Sequence, residues 1–407
     1  MQQTLKRPEL LAPVGDITRL NYAIEYGADA VYLAYKQFGM RAAVGNFDID
    51  ELSYAVELCH KRGVKVYVTV NTYPTVEETE QLQGFFTEMA RIGPDAFIIA
   101  DIGVMSMAKI YAPNIDIHVS TQANVTNALT ALEYVKLGAK RIVLAREVSL
   151  EDIRAIKKAV GETEIECFVH GAMCMSVSGR CHLSAFLTGR DANRGACAQP
   201  CRWQYTITEM KREGEFFPVE QDGKGTYIFN SKDMCMVEHI DDLIKAGVDS
   251  FKIEGRMKTA YYVACTVKAY KMAIDEYFEK GDYDRSRCLA EAQKASHRDF
   301  STGFYYAPMG ADGFNTFTGG YVRTHELIAT VEGWEDGVAL IRQKNKFSVG
   351  DTLEILSPEK EDVTFTVERI TTLEGEDMPD APHPEQLLHI PCKTPLSTMD
   401  ILRRKTE

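Results

Sequence analysis

The 407-residue sequence has no uninterrupted apolar run near the roughly 18 to 20 residues that a membrane span requires. No apolar stretch follows Lys6 and Arg7 in the manner of a secretory leader. A cytoplasmic protein without a membrane partner is therefore expected. A basic excess is also missing: 59 acidic residues face 46 basic ones, a formal net charge of −13. That balance argues against a protein built for non-specific nucleic-acid binding. There is no His-Glu-x-x-His helix, since His325-Glu326 is followed by no second histidine at that spacing. Neither a Gly-x-Ser-x-Gly elbow nor a Gly-x-Gly-x-x-Gly fingerprint occurs. Metalloprotease, serine-hydrolase and dinucleotide-binding readings thus have no motif to stand on.

What is present is the material of a folded protein. Hydrophobic residues make up 45% and charged residues 26%, which excludes a disordered chain. At about 150 residues per domain, roughly two or three domains are expected. One phrase recurs through the first 255 residues, a helix ending in glycine followed by an apolar β run. Its copies begin at Gly27, Gly63, Gly93, Gly138 and Gly247. Glycine suits the left-handed position that closes a helix, and Asp16 suits the N-cap of the first one. Further strands are expected at 10–13, 115–119, 165–169 and 227–229. Short apolar strands alternating with helices imply a parallel sheet covered by helices. Eight or nine strands in this length suit an α/β fold of the (β/α)8 type, a TIM-like barrel, better than an open sheet. Residues 263 to about 300 read as helical. From 321 the pattern changes to short alternating strands with Gly and Pro turns, as in a small antiparallel β-barrel. The expected organisation is a barrel domain over 1–320, with a Cys-rich insert at 167–225 and a helical extension at 258–320, then a β domain over 321–407.

Ten cysteines in a chain of this kind favour metal or redox chemistry over disulfides. Cys59, Cys265 and Cys288 lie in helical stretches and read as small core residues, and Cys167 reads as core within its strand. Cys174, Cys181, Cys197 and Cys201 differ. They are spaced C-x6-C-x15-C-x3-C, in a segment rich in Gly, Arg and Ser. Four soft ligands in one loop suit zinc or an iron–sulfur cluster. Only the second pair has the tight spacing of a zinc knuckle, so the spacing favours the cluster. Cys235, expected to begin a helix at the same barrel mouth, is a reserve ligand. Segment 167–212 holds six basic residues against two acidic ones, a local excess that suits a phosphate-bearing substrate. Arg194 and Arg202 belong to it. Trp203 and Tyr205 could stack on a base.

The stretch Glu166-Cys-Phe-Val-His-Gly-Ala-Met-Cys174, with Gly179-Arg-Cys-His-Leu-Ser184 and Asn193-Arg-Gly-Ala-Cys-Ala-Gln-Pro-Cys-Arg202, resembles the signature of peptidase family U32. Leu10–Gly15, Asn230–Asp233 and Lys252–Arg256 extend the likeness to nearly the whole chain. The family was named for collagenase-like proteases. The layout is more similar to its tRNA hydroxylation members, which make 5-hydroxyuridine at the wobble position with prephenate. This resemblance implies a [4Fe–4S] cluster on Cys174, Cys181, Cys197 and Cys201, prephenate as co-substrate, tRNA as a transient partner and a protein partner from the same family. At the strand ends, His170, Glu254 and Arg256 are the catalytic candidates. Arg41, His118, Gln122 and Arg146, with Arg194 and Arg202, are the substrate-binding candidates. Two other readings stay open: a peptidase with a Cys174–His170 dyad, and a zinc-stapled scaffold that binds a partner protein.

Overall fold

The computed structural model describes residues 5–39, 46–203, 221–222, 225–226, 231–308, 321–358 and 360–406. Arg41, Tyr205, Asn230 and the strand expected at 227–229 lie outside them. Each repeated unit forms as its sequence dictates. Asp16 caps helix Ile17–Glu25 by accepting the Arg19 amide at 2.8 Å. Asp48 and Glu51 form a reciprocal capping box on helix Ile49–Lys61. The glycine closing helix Leu82–Ile92, Gly93, takes φ of 75°.

Eight parallel strands close into a barrel. They are β1 (Glu9–Pro13), β2 (Ala30–Leu33), β3 (Lys65–Val70), β4 (Ala96–Ile99), β5 (Asp116–Val119), β6 (Arg141–Val143), β7 (Glu164–Ala172) and, later in the chain, Ser250–Ile253. Between the last two, β8 (Asp233–Cys235) runs antiparallel to the end of β7. The eighth barrel strand is therefore β9 (Ser250–Ile253). It pairs with β7 on one side and β1 on the other, closing the ring. No segment at 227–229 is needed for closure. Cys235 sits at the end of a strand, where the sequence suggested the start of a helix, because Asp233 to Cys235 pair with Ala172 to His170.

Alternate strand residues point inward. Leu11, Ala30, Tyr32, Tyr67, Ala96 and Ile98 form an inner apolar cluster. Below it lies a charged group: Arg141 binds Glu9, Glu164 and Glu166 at 2.6, 2.8 and 3.1 Å, and Lys252 binds Glu166 at 2.7 Å. Outward strand residues such as Cys167 join the main core, which the helices complete with Cys59, Cys265 and Cys288.

Helices Ala260–Lys280 and Arg285–Ala292 follow the barrel. The helical pattern stops at 292. Phe300–Ser301 forms a short strand, β10, beside β8. The C-terminal unit is an eight-stranded antiparallel sheet forming a half-barrel around its own core. Its two edge strands do not pair with each other among the described residues, so closure is incomplete. It is fixed to the barrel domain by charge. The fully buried Arg403 binds Glu291 at 2.7 Å, Glu354 at 2.6 Å and Asp362 at 2.7 Å. Lys268 and Lys294 reach the same Asp362. Among the described residues no helix is long and apolar enough to cross a membrane.

Burial alone would raise the Asp362 carboxyl, but Arg403, Lys268 and Lys294 outweigh it and hold it well below its usual range. Its contribution is therefore present above its unfolded pKa of about 3.9 and is lost as pH falls through the folded value. Arg403→Met leaves Glu291, Glu354 and Asp362 to share only Lys268 and Lys294. It is expected to cost roughly 3–5 kcal/mol in urea unfolding at pH 7, with a smaller loss at pH 3.

Candidate functional site

The carboxyl ends of four barrel strands, β5, β6, β7 and β9, converge on one cavity of about 530 Å³. β5 leads into Thr121 and Gln122, β6 into Arg146 and Glu147, β7 into Ala172 to Cys174, and β9 into Glu254 to Lys258. This is the mouth at which barrel folds carry their chemistry. The Cys-rich insert supplies the remaining wall.

The insert is held by local polar contacts suited to its composition. Ser178 takes left-handed φ of 48°, donates its amide to Glu147 Oε1 at 2.9 Å and bonds Asn124 through its hydroxyl at 2.6 Å. Asn193 clamps Cys181 on both backbone sides, accepting its amide and donating to its carbonyl, each at 3.1 Å. The fully buried Ser184 accepts the Ala198 amide at 2.9 Å. These bonds tie the Cys181 turn to the Cys197 turn.

All four cysteines of the spaced set line the cavity. Cys174 is exposed and the other three are half-buried. Burial pushes the Cys201 thiol up; Arg202 opposes this, and neighbouring Cys174, Cys197 and Cys181 add to it. Two of the four sulfurs already accept backbone amides: Cys181 Sγ from Leu183 and Cys197 Sγ from Gln199, each at 3.3 Å. Such donors stabilise thiolate charge. Among the described residues no three His, Cys, Asp or Glu side chains are arranged to hold a single metal ion. The sulfurs border a space and do not converge on a point.

Of the other candidates, Gln122, Arg146, Arg202 and Glu254 line the cavity. Arg146 stacks on Phe168, 3.9 Å from the ring centre, and donates to the Ala172 carbonyl at 2.6 Å. Arg202 donates to Gln199 Oε1 at 2.5 Å. The Gln122 carbonyl is bound by Tyr73 and Arg180.

Five candidates are placed elsewhere. His170 is buried behind the wall, with Tyr262, Tyr270 and Phe300 around its ring. Its neighbour shift explains this: β7 pairs Phe168 with Lys252 but His170 with Ile253, so an irregularity at Val169 turns the imidazole outward. Burial lowers its pKa to about 3, against a smaller pull from Asp233. A Cys174–His170 dyad does not form. His118 lies inside the barrel, edge-on to Tyr67 at 4.6 Å, and burial reinforced by Arg141 and Lys252 keeps it neutral. Arg256 is buried and donates to Asn46 at 2.6 Å and Thr69 at 3.4 Å. Arg194 forms an ion pair with Glu78 and donates to the Tyr73 carbonyl, away from the cavity wall. Cys235 is buried beside Tyr270, with its thiol pushed up to about 12 by burial, and is not on the wall.

Glu147, Lys258 and Tyr321 are among the wall residues that went unmarked in the sequence. Glu147 adjoins Arg146 after β6 and was findable by its position. Tyr321 arrives from far along the chain and left no local signal.

Two glycines shape the wall. Gly171 has φ of 109°, and a Cβ there would lie 2.7 Å from the Glu254 carbonyl oxygen; Gly255 has φ of 150°, and its Cβ would lie 2.5 Å from the Tyr262 ring.

These features define a (β/α)8 barrel protein with a thiol-lined cavity at its carboxyl mouth, enclosed by a Cys-rich insert. The chain belongs to peptidase family U32: residues 15–314 match that family and residues 323–403 match the peptidase family U32 C-terminal domain. It is 35% identical to tRNA hydroxylation protein P of Escherichia coli (strain K12) over 92% of each chain. It is 34% identical to tRNA hydroxylation protein P1 of Bacillus subtilis (strain 168), over 98% of this chain and 95% of that protein. It is 36% identical to a protein named collagenase of Porphyromonas gingivalis, over 73% of each.

Gly171→Ala should cost roughly 1–3 kcal/mol through strain and the clash with Glu254, read by thermal unfolding. In an NMR titration the His170 ring signals should stay flat from pH 8 down to about 5 and move only near its pKa of about 3.

Proposed function

We propose that the protein is an RNA hydroxylation enzyme that converts the wobble uridine of tRNA to 5-hydroxyuridine. The observation that carries the reading is the cavity itself: four thiols and a set of cations share one wall at the barrel mouth. Relatives matched over more than nine-tenths of the chain bear the name tRNA hydroxylation protein.

The residues fit a [4Fe–4S] cluster. Cys174, Cys181, Cys197 and Cys201 would hold it. All four border one space, two accept amide hydrogen bonds, and only the second pair has the tight spacing of a zinc knuckle. Such a cluster supplies redox or Lewis-acid chemistry when bound. The chain's own residues bind and orient. Arg146, fixed by Phe168 and the Ala172 carbonyl, presents a guanidinium suited to a carboxylate. Arg202 is a second. Prephenate, with two carboxylates, is a co-substrate of matching charge. Glu254, on the turn after β9, and Glu147, after β6, are wall carboxylates suited to holding a proton. The basic insert suits a polynucleotide phosphate backbone.

The peptidase reading finds no nucleophile–base pair at this cavity among the described residues, since His170 is turned away.

Two measurements test the proposal. Anaerobically purified protein should contain about four irons and four sulfides per chain, lost in Cys174→Ser and Cys181→Ser and retained in Cys235→Ser. Stoichiometric zinc without sulfide would favour the scaffold reading. Nucleoside profiling of tRNA from a deletion strain should show loss of 5-hydroxyuridine, restored by the intact gene and not by Cys181→Ser. Unchanged 5-hydroxyuridine in a strain without any second route overturns the assignment.

A further inference from the structure

Two residues of this wall, Lys258 on the turn after β9 and Tyr321, have no role in the reading above. Lys258 is half-buried on this wall. Its ammonium lies 4.5 Å from the centre of the Tyr321 ring and 5.3 Å from that of Tyr262. The turn behind it is rigid. The Lys258 amide donates to the Gly255 carbonyl at 2.8 Å, and its own carbonyl accepts from Arg19 Nε at 2.5 Å. Gly255 packs against the Lys258 stem and the Tyr262 ring. Among the described residues no carboxylate lies within ion-pair distance of Lys258. Asp233, which senses its charge, is engaged by Arg298 at 2.5 Å. Tyr321 keeps 44% of its surface exposed while lining the cavity.

A cation without a counter-ion, steadied by aromatic faces on a cavity wall, is an anion site. An exposed aromatic ring beside it is a stacking platform. The two together match a nucleotide, whose phosphate and base lie one sugar apart. We propose that Lys258 and Tyr321 form the subsite for the nucleotide that enters the cavity, Lys258 taking a phosphate and Tyr321 stacking on a base. This rests on the RNA reading and deepens it, because it assigns to named residues the nucleotide contact that the reading requires. It also explains why the ammonium and ring are held together before any ligand arrives. The lysine is pre-positioned beside a ring that keeps 44% of its surface exposed.

The test uses the full-length, anaerobically purified protein, with uridine 5′-monophosphate and uridine as probes in ligand-observed NMR or calorimetry. The wild type should bind the monophosphate more tightly than uridine. Lys258→Met should erase that preference, with a loss of roughly tenfold for the monophosphate and little change for uridine. Tyr321→Leu should weaken both probes, and Tyr321→Phe should retain both. Unaltered thermal unfolding and iron content serve as the folding control. Equal binding of the two probes by the wild type, or a preference that survives Lys258→Met, overturns the subsite. Succinate is the third probe. If Lys258→Met weakens it as much as the monophosphate, the anion is a carboxylic acid and the nucleotide assignment falls. The two failures are separable: nucleoside profiling tests hydroxylation, whereas these affinities test the subsite without any turnover.

Discussion

A carboxylate with no exposure to water, Glu166, organises the molecule. It sits inside the barrel on β7 and is held by Arg141 from β6 and Lys252 from β9. A buried charge is tolerated only when paired and hydrogen-bonded, so the three strands cannot shift relative to one another without exposing it. Those same strands deliver one side of the cavity wall: Arg146 and Glu147, then Cys174, then Glu254 and Lys258. Arg141 extends the group to Glu9 on β1, where Tyr67 and Ser250 also donate. The polar interior is thus a brace below the mouth. Above it, Phe168 lies between Lys252 at 5.5 Å and Arg146 at 3.9 Å, linking the brace to the site.

The insert depends on this frame. Cys174 is carried directly by the end of β7, whereas Cys181, Cys197 and Cys201 lie on turns fastened to it by Ser178, Asn193 and Ser184. One cysteine of the set is therefore carried by the barrel and three sit on turns set by short polar contacts. Loops suit this division, since short polar residues satisfy backbone groups without demanding a core.

Much of the barrel was legible because the repeated unit is local. A glycine ending each helix and an apolar run after it leave little freedom in where the strands fall. The cysteine set was legible for the same reason, its members lying within 28 positions of one another, from 174 to 201. The failures share a cause as well. Strand ends give position along the barrel axis, but not which way a side chain turns. His170 was misplaced by an irregularity at Val169 that only the pairing with β9 reveals. His118 points into the barrel beside Tyr67, where alternate strand residues must go, and Arg256, on the turn after β9, is buried against Thr69 and Asn46. The charged interior was hidden because each member is a single acid or base in an otherwise apolar strand. Tyr321 reaches the cavity only through tertiary folding.

The close approach of Gly171 to the Glu254 backbone, and of Gly255 to Tyr262, bears on how such a chain can diverge. At Gly171 the obstacle is main chain, which no exchange of a neighbouring side chain removes. The wall can therefore trade its arginines, glutamates and aromatics and so change what it accepts, while the crossing of these two backbone segments cannot drift. Substrate choice can then change residue by residue around a junction that the main chain itself fixes.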